Sequence, residues 1–126
     1  MEIIGTICFL PYQLELVEVL EYFDGDLLRY YIDRKQDKVF IEKWADTNLN
    51  KDRFLFFETS QKDIDDYLDK KLCLLDLILR GSNYYLNDHY KKSNLIDSFK
   101  IYQSQIPKSY LPSPEAFHDE SLRYHY

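Results

Sequence analysis

The sequence predicts an α+β fold: an antiparallel β-meander of four to six strands packed against one or two short helices, with an extended proline-bearing C-terminal tail. Three observations predict it. Residues 14–60 contain four strand-like runs separated by turn sequences, a serine-capped apolar stripe begins at Ser60, and three prolines lie within residues 107–117. The 126 residues suffice for one domain with its own hydrophobic core.

The pattern divides this single domain, residues 1–126, into four parts. Residues 1–12 are an N-terminal arm or a short strand, residues 14–60 are the meander, residues 61–81 are the helices, and residues 82–126 hold one or more strands and the extended tail. The sequence contains no internal repeat and no composition shift that would mark a domain boundary.

Four apolar runs make up the meander, and the first of them is ambiguous. Its glutamates recur every three residues, as on one face of a helix, whereas its valines and the Asp-Gly that follows suit a strand entering a hairpin. We favour a strand, because the next three runs need a first neighbour. The runs are Leu14–Phe23, Leu27–Ile32, Val39–Trp44 and Phe54–Thr59.

The fourth run leads into the helices and differs from the others in being apolar on both faces. A strand of that kind is central or covered by helices, so we expect the helices to pack here. Ser60 followed by Asp63 is typical of a helix start with an acid in the first turn. The apolar pattern then continues to Gly81, which favours a helix end, and predicts one kinked helix or two short ones.

Beyond Gly81 the pattern predicts a strand over Asn83–Tyr90 and indicates another over Phe99–Tyr102. The signal is weaker here than in the meander, and the pattern leaves the structure of residues 82–106 open. The three prolines of residues 107–117 predict an extended segment that lies over the body of the domain.

Composition disfavours several functions. The net charge of −6 and a pI of about 5.0 oppose binding to nucleic-acid phosphates. Two isolated cysteines, Cys8 and Cys73, indicate a reducing compartment rather than a disulfide framework. The N-terminus has no basic segment typical of a signal peptide, and no apolar stretch is long enough for a membrane span, so we expect a cytoplasmic protein without membrane contact.

The sequence predicts no catalytic, cofactor-binding or metal-binding residue. His89, His118 and His125 lie far apart, and three isolated glycines cannot form a phosphate-binding loop. A Cys73–histidine pair would need folding to join it to His89 or His118, and its leucine neighbours favour inert packing. For His118, an exposed position in the tail is the favoured interpretation.

Aromatic residues are the candidate partner-binding groups. The chain has 12 tyrosines and 8 phenylalanines, and tyrosine and tryptophan are frequent hot spots of protein interfaces. Half-buried tyrosines that cover a small sheet are the plainer interpretation. The partner would be another protein or a second copy of the chain, paired through an exposed edge of the meander. The candidates are Tyr30, Tyr31, Trp44, Tyr84, Tyr85 and Tyr110.

Six short motifs occur in a fixed order: a glutamate-rich strand, an aromatic-Asp-Gly-x-Leu-Leu turn, a strand ending in tryptophan, a serine-capped helix, a leucine-led second helix and a Tyr-Leu-Pro-x-Pro segment. Four of them stand here at Tyr22–Leu28, Trp44, Ser60 and Tyr110–Pro114. This order resembles a group of uncharacterised bacterial domains of unknown function, over about residues 14–117. The resemblance implies a fold and carries no activity with it.

The function predicted from these features is that of a small, cytoplasmic, non-catalytic protein-interaction or regulatory subunit of a bacterial system. Phage defence, immunity and antitoxin roles suit such a subunit. The alternative is a small enzyme or ligand-binding domain with a pocket lined by tyrosines and histidine. A weaker alternative is a single-stranded nucleic-acid binder, which needs a basic groove beside the aromatic residues.

Overall fold

A computed structural model describes residues 6–9 and 11–123, and in that part of the chain it shows one seven-stranded antiparallel sheet with two short helices. Strand order in the sheet follows chain order. The predicted α+β meander is therefore confirmed, with β2 to β7 as its six strands and the N-terminal arm as a seventh. The strands are β1 (Thr6–Phe9), β2 (Tyr12–Tyr22), β3 (Asp26–Asp33), β4 (Lys38–Thr47), β5 (Lys51–Thr59), β6 (Ser82–Tyr90) and β7 (Ile96–Ile101), and the helices are α1 (Gln61–Leu68) and α2 (Leu74–Leu79).

The ambiguous first run is a strand, β2, as favoured from the sequence. Its pairing with β3 shifts register at three places, between Leu16 and Glu18, between Val19 and Glu21, and between Glu21 and Tyr22. Each extra residue in a β-bulge changes which side chains face a given side of the sheet. The bulges thus explain why glutamates recur every three residues in a strand.

Two short helices, rather than one kinked helix, follow β5. The Ser60 hydroxyl accepts a hydrogen bond of 3.1 Å from the backbone N–H of Asp63 and caps α1 as predicted. Cys73 caps α2 in the same way, since its sulfur accepts from the N–H of Asp76 at 3.4 Å. Lys70, between the helices, has a φ of 62°, a left-handed conformation that ends α1.

The main core lies between the helices and one face of the sheet. The C-terminal segment adds Ile106 and Tyr110 to it, so the tail lies over the body as expected. Three single-turn 3₁₀ helices interrupt the tail, at Gln103–Gln105, Lys108–Tyr110 and Glu120–Leu122. The other buried members of this core are Leu20, Leu28, Ile41, Leu55, Phe57, Ile64, Tyr67, Leu72, Leu74, Leu77, Ile78 and Tyr84.

The opposite face of the sheet is strongly concave. Tyr12 lies on β2 and Tyr85 on β6, yet their ring centroids are 6.0 Å apart. In a flat sheet, strands four positions apart would be about 19 Å from one another. The sheet therefore coils around a second cluster, and we call this side, turned away from the helices, the concave face. The cluster consists of Tyr12, Leu14, Tyr31, Phe40, Phe56 and Tyr85.

The β5 strand is buried on both faces, which confirms the pattern of its sequence. Leu55 and Phe57 belong to the core beneath the helices, while Phe54 and Phe56 lie on the concave face, and all four are buried. Helices cover only the first pair. Coiling of the sheet, rather than a second layer of helices, covers the second pair.

Candidate functional site

A pocket of about 670 Å³ opens on the concave face. The β2–β3 turn forms part of its wall, and the end of β4, the start of β5 and the end of β6 form the rest. Strand register brings these segments together, because Trp44 pairs with Phe54 and Asp52 pairs with His89. We call this opening the concave pocket.

A buried carboxylate lies beside the pocket, in the interior of the concave face. Glu42 of β4 is 0% exposed. It accepts hydrogen bonds of 3.0 Å from the Tyr31 hydroxyl and the Asn87 amide, its Oε2 is 3.0 Å from His89 Nε2, and its Oε1 is 3.4 Å from Arg29 Nη1. We call these five residues the Glu42 network. Side chains from three strands, β3, β4 and β6, thus meet at one charge, and β5 lies between β4 and β6 in the sheet.

Charge compensation keeps Glu42 ionised despite its burial. Burial by itself raises the pKa of Glu42, but the charge of Arg29 and the contacts with His89 and Asn87 outweigh it and hold the pKa at about 2. Burial also opposes the charge of Arg29, and there Glu42 overcomes it and raises the pKa of the guanidinium. Burial and the neighbouring Glu42 raise the pKa of Tyr31, so that its hydroxyl stays a donor.

Acid should remove the stabilisation that this carboxylate provides. The folded-state pKa of Glu42 lies near 2, below the ordinary value of 4.5, so its contribution is complete above about pH 4.5 and is lost as the pH falls towards 2. We expect the free energy of unfolding of the wild type to exceed that of Glu42→Gln by an amount that shrinks over this interval. Urea unfolding at several pH values measures it, and a difference that stays constant from pH 5 to about pH 2 would contradict the assignment.

Two members of the Glu42 network, Arg29 and His89, also line the pocket. The guanidinium carbon of Arg29 lies 4.4 Å from the ring centroid of Phe54, and the ring of His89 meets Phe54 edge-on at 4.8 Å. Arg29 Nε is 3.3 Å from Asp26, at the start of β3. The inner surface of the pocket is therefore held by charge pairing and ring packing together.

The mouth of the pocket carries exposed aromatic side chains. Phe23 of the β2–β3 turn is 71% exposed and Trp44 is 36% exposed. The indole N–H of Trp44 donates to Asp52 at 3.4 Å. On the same side, the Lys91 ammonium donates to the Thr47 hydroxyl at 2.9 Å. The mouth thus combines large apolar surfaces with separated charges of both signs.

The structure brings two of the six predicted partner-binding residues to this region. Trp44 lies at the mouth, and Tyr31 belongs to the Glu42 network. The other four lie elsewhere: Tyr30 bonds Gln61 at the start of α1, Tyr84 donates to the carbonyls of Ile78 and Gly81, Tyr85 packs in the concave cluster, and Tyr110 donates to Asp46 from the tail. The partner-binding role of all six stays a prediction.

Sequence reasoning missed Glu42, Arg29, Asn87 and His89 as a group. Alternation along β3 and β4 does place Arg29 and Glu42 on the same face as Tyr31, Phe40 and Trp44. A charged residue among aromatic residues on one strand face was the available signal. This signal does not by itself predict a buried network, because nothing local shows that the sheet coils.

The expectation of an exposed tail histidine at His118 is wrong. His118 is 3% exposed, its Nδ1 lies 2.9 Å from Glu21 of β2, and its ring packs 5.4 Å from that of Tyr67. Tyr67 also donates to Glu21. This cluster fastens the tail on the helix side of the sheet, away from the concave pocket.

Neither histidine pairs with Cys73 in the part of the chain that the structure describes, where Cys73 caps α2, His89 binds Glu42 and His118 binds Glu21. The side chain of Cys8 lies outside that part. Among the described residues, no group of three or more His, Cys, Asp or Glu side chains could hold a metal ion. None of the described helices is long and apolar enough to cross a lipid bilayer.

No protein-family model, curated protein or solved structure matches the chain. The resemblance to uncharacterised bacterial domains therefore stays a prediction. Function has to be argued from the geometry and chemistry of the site itself.

Proposed function

We propose that the protein is a small, non-catalytic interaction subunit that binds another protein through the concave pocket. The observation that carries the proposal is the pair of exposed aromatic residues, Phe23 and Trp44, at the mouth of a pocket whose inner surface is fixed by the Glu42 network. This is the interaction role expected from the sequence, now assigned to one surface. The bacterial system it would serve, of the phage-defence, immunity or antitoxin type, stays part of the proposal.

A fixed inner surface supports a binding role. Buried charge pairs are expensive to form, and replacing them with apolar residues is often neutral or stabilising. The role of the Glu42–Arg29 pair is therefore to fix geometry rather than to add stability over an apolar pair. The two residues hold Asp26, Phe54 and His89 in place around the pocket. A site that is organised before binding loses less conformational entropy when a partner docks.

The exposed aromatic residues supply the surface that a partner would cover. Large apolar side chains beside a pocket mark interaction sites, and tryptophan is enriched among residues whose truncation weakens binding most. The net charge of −6 would draw a basic partner towards the protein over a distance of several ångströms.

Co-purification from the native host tests the proposal when pocket and control variants are compared. We expect Trp44→Ala to lose the captured protein, with an affinity reduced about thirty-fold, because hot-spot truncations cost about 2 kcal/mol or more. Phe117→Ala is the matched control, since Phe117 is a similarly exposed aromatic residue in the tail. Equal capture by the wild type and both variants would overturn the proposal, as would a wild type that purifies alone at native abundance.

One observation favours a second candidate, a ligand-binding domain or small enzyme. His89 lines the pocket while a buried carboxylate holds its Nε2, an arrangement that orients an imidazole for proton transfer or for a ligand hydrogen bond. A thermal-shift screen of small metabolites would discriminate the candidates. A stabilising metabolite whose effect disappears in His89→Gln favours the second candidate, whereas partner capture that His89→Gln retains favours the first.

A further inference from the structure

We infer that the concave pocket accepts a cationic side chain, a lysine ammonium or an arginine guanidinium, from a basic segment of the partner protein. This rests on the proposed function and adds to it the chemistry of the group that enters the pocket. The inference follows from the charges that line the pocket, from which of them are already paired, and from the aromatic surfaces beside them.

Carboxylates outnumber permanent cations in the lining. Asp24, Asp26 and Asp52 stand against Arg29 and Lys91, and the buried Glu42 adds a further negative charge behind them. The charge of Arg29 is already matched, since its Nη1 lies 3.4 Å from Glu42 and its Nε 3.3 Å from Asp26. An incoming anion would find the guanidinium engaged, whereas an incoming cation meets an excess of negative charge.

Two of the carboxylates form no ion pair within the part of the chain that the structure describes. Asp24 lies at the tip of the β2–β3 turn, where its φ of 54° places it in the left-handed region beside Gly25. Asp52 accepts only the indole N–H of Trp44, at 3.4 Å, among side-chain donors of the described residues. The carboxylates of Asp24 and Asp52 can therefore each bind a ligand without breaking an existing ion pair.

Aromatic surfaces accompany these carboxylates. Trp44 is hydrogen-bonded to Asp52, and the exposed Phe23 precedes Asp24 in the turn and lines the same pocket. A cation placed over an aromatic face is attracted by the ring quadrupole, most strongly by tryptophan. Carboxylates combined with aromatic rings form the kind of cage that recognises ammonium and guanidinium groups.

The positive charge of Lys91 argues against a cationic ligand. The competing ligand is an acidic side chain. The Lys91 ammonium donates to the Thr47 hydroxyl and has no carboxylate partner among the described residues. Together with His89 it could hold an acidic side chain instead. The number of carboxylates, and the pairing of Arg29 with two of them, decide for the cation.

Trp44 is the single tryptophan of the chain and therefore reports on the pocket through its fluorescence. The probes are four otherwise neutral pentapeptides that differ only in a central Arg, Lys, norleucine or Glu residue. We expect the Arg and Lys peptides to change the emission of the full-length protein in a saturable manner at low salt, and more weakly at 0.5 M salt, because salt screens exposed charges. Asp24→Asn and Asp52→Asn should each weaken this binding at least five-fold.

Asp37→Asn is the matched control. Asp37 is an exposed turn residue with the same φ of 54° as Asp24, but it lies in the β3–β4 turn, outside the pocket lining. It should leave the affinity for the Arg peptide unchanged. The inference is overturned if the Glu or norleucine peptide binds as tightly as the Arg peptide, if none of the four changes the emission, or if Asp37→Asn weakens binding as much as Asp24→Asn.

Partner capture separates failure of this inference from failure of the proposed function. A partner that Trp44→Ala loses but that the Asp24→Asn/Asp52→Asn double variant retains in full would refute the cationic ligand and leave the pocket as the binding surface. A partner that Trp44→Ala retains would refute the proposed function itself. Loss of the partner in both variants supports both statements.

Discussion

Replacing Glu42 with alanine is expected to lower the free energy of unfolding by about 3–5 kcal/mol, as measured by urea denaturation. The substitution removes the carboxylate but leaves the guanidinium of Arg29, of which little is exposed, without its buried partner. It also leaves the hydroxyl of Tyr31 and the amide of Asn87 without the acceptor that each one now uses. Unpaired buried polar groups cost their full desolvation energy, which makes the loss large.

Glu15→Ala is the control for this substitution. Glu15 lies on β2 and bonds Arg34 at 2.7 Å, but both side chains are well exposed to solvent. An exposed ion pair contributes about 0–1 kcal/mol, so this variant should remain close to the wild type. Equal stability losses in Glu42→Ala and Glu15→Ala would mean that the Glu42 network does not support the pocket.

Phe56→Ala is expected to cost about 3–5 kcal/mol in the same assay. The ring of Phe56 stacks on Phe40 with centroids 5.0 Å apart and lies 6.0–6.4 Å from the rings of Tyr12, Tyr31 and Tyr85. Its removal leaves a cavity at the centre of the concave cluster, the group that joins the two sides of the coiled sheet. The variant should also lose near-ultraviolet circular dichroism from the tyrosines around it.

Phe99→Ala provides the comparison, because Phe99 lies on the edge strand β7 and is exposed. Surface substitutions of this kind usually change stability by no more than about 0.5 kcal/mol. If Phe56→Ala costs no more than Phe99→Ala, the concave face is not a packed interior and the coiling of the sheet is wrong.

The order and type of the elements could be predicted because they depend on local pattern. Ser60 shows where α1 begins, Gly81 follows the end of α2, and the apolar run Phe54–Phe57 indicates a strand covered on both faces. The start of the meander was less clear, because two β-bulges in β2 change the alternation of its side chains. In the sequence, such a bulge shows only as a break in the regular alternation of apolar and polar residues.

The Glu42 network could not be predicted, because its members come from strands that local pattern does not relate. Glu42 and His89 are 47 positions apart in the chain and lie on strands separated by β5. Their contact lies on the concave face, where the sheet also brings Tyr12 of β2 within 6.0 Å of Tyr85 of β6. The burial of His118 against β2 is non-local in the same way, since its partner Glu21 lies 97 positions away.

The candidate site was predicted in part, through Trp44. The sequence pattern ends a strand at Trp44, whereas β4 continues to Thr47 and carries Trp44 at the mouth of a pocket. Tyr84 and Tyr85, by contrast, are buried and serve the two cores. Residue type alone does not separate a packing tyrosine from a surface tyrosine, because both uses suit its apolar ring and polar tip.

Chemical-shift mapping tests the central claim most directly. The captured partner, or its basic segment, is added to the ¹⁵N-labelled protein and the backbone amide signals are followed. The concave pocket predicts that the largest changes occur at residues 23–29, 44–47, 52–54 and 89–91, with small changes on α1 and α2. Changes concentrated on the helices or along the β7 edge, with the pocket amides unaltered, would contradict it.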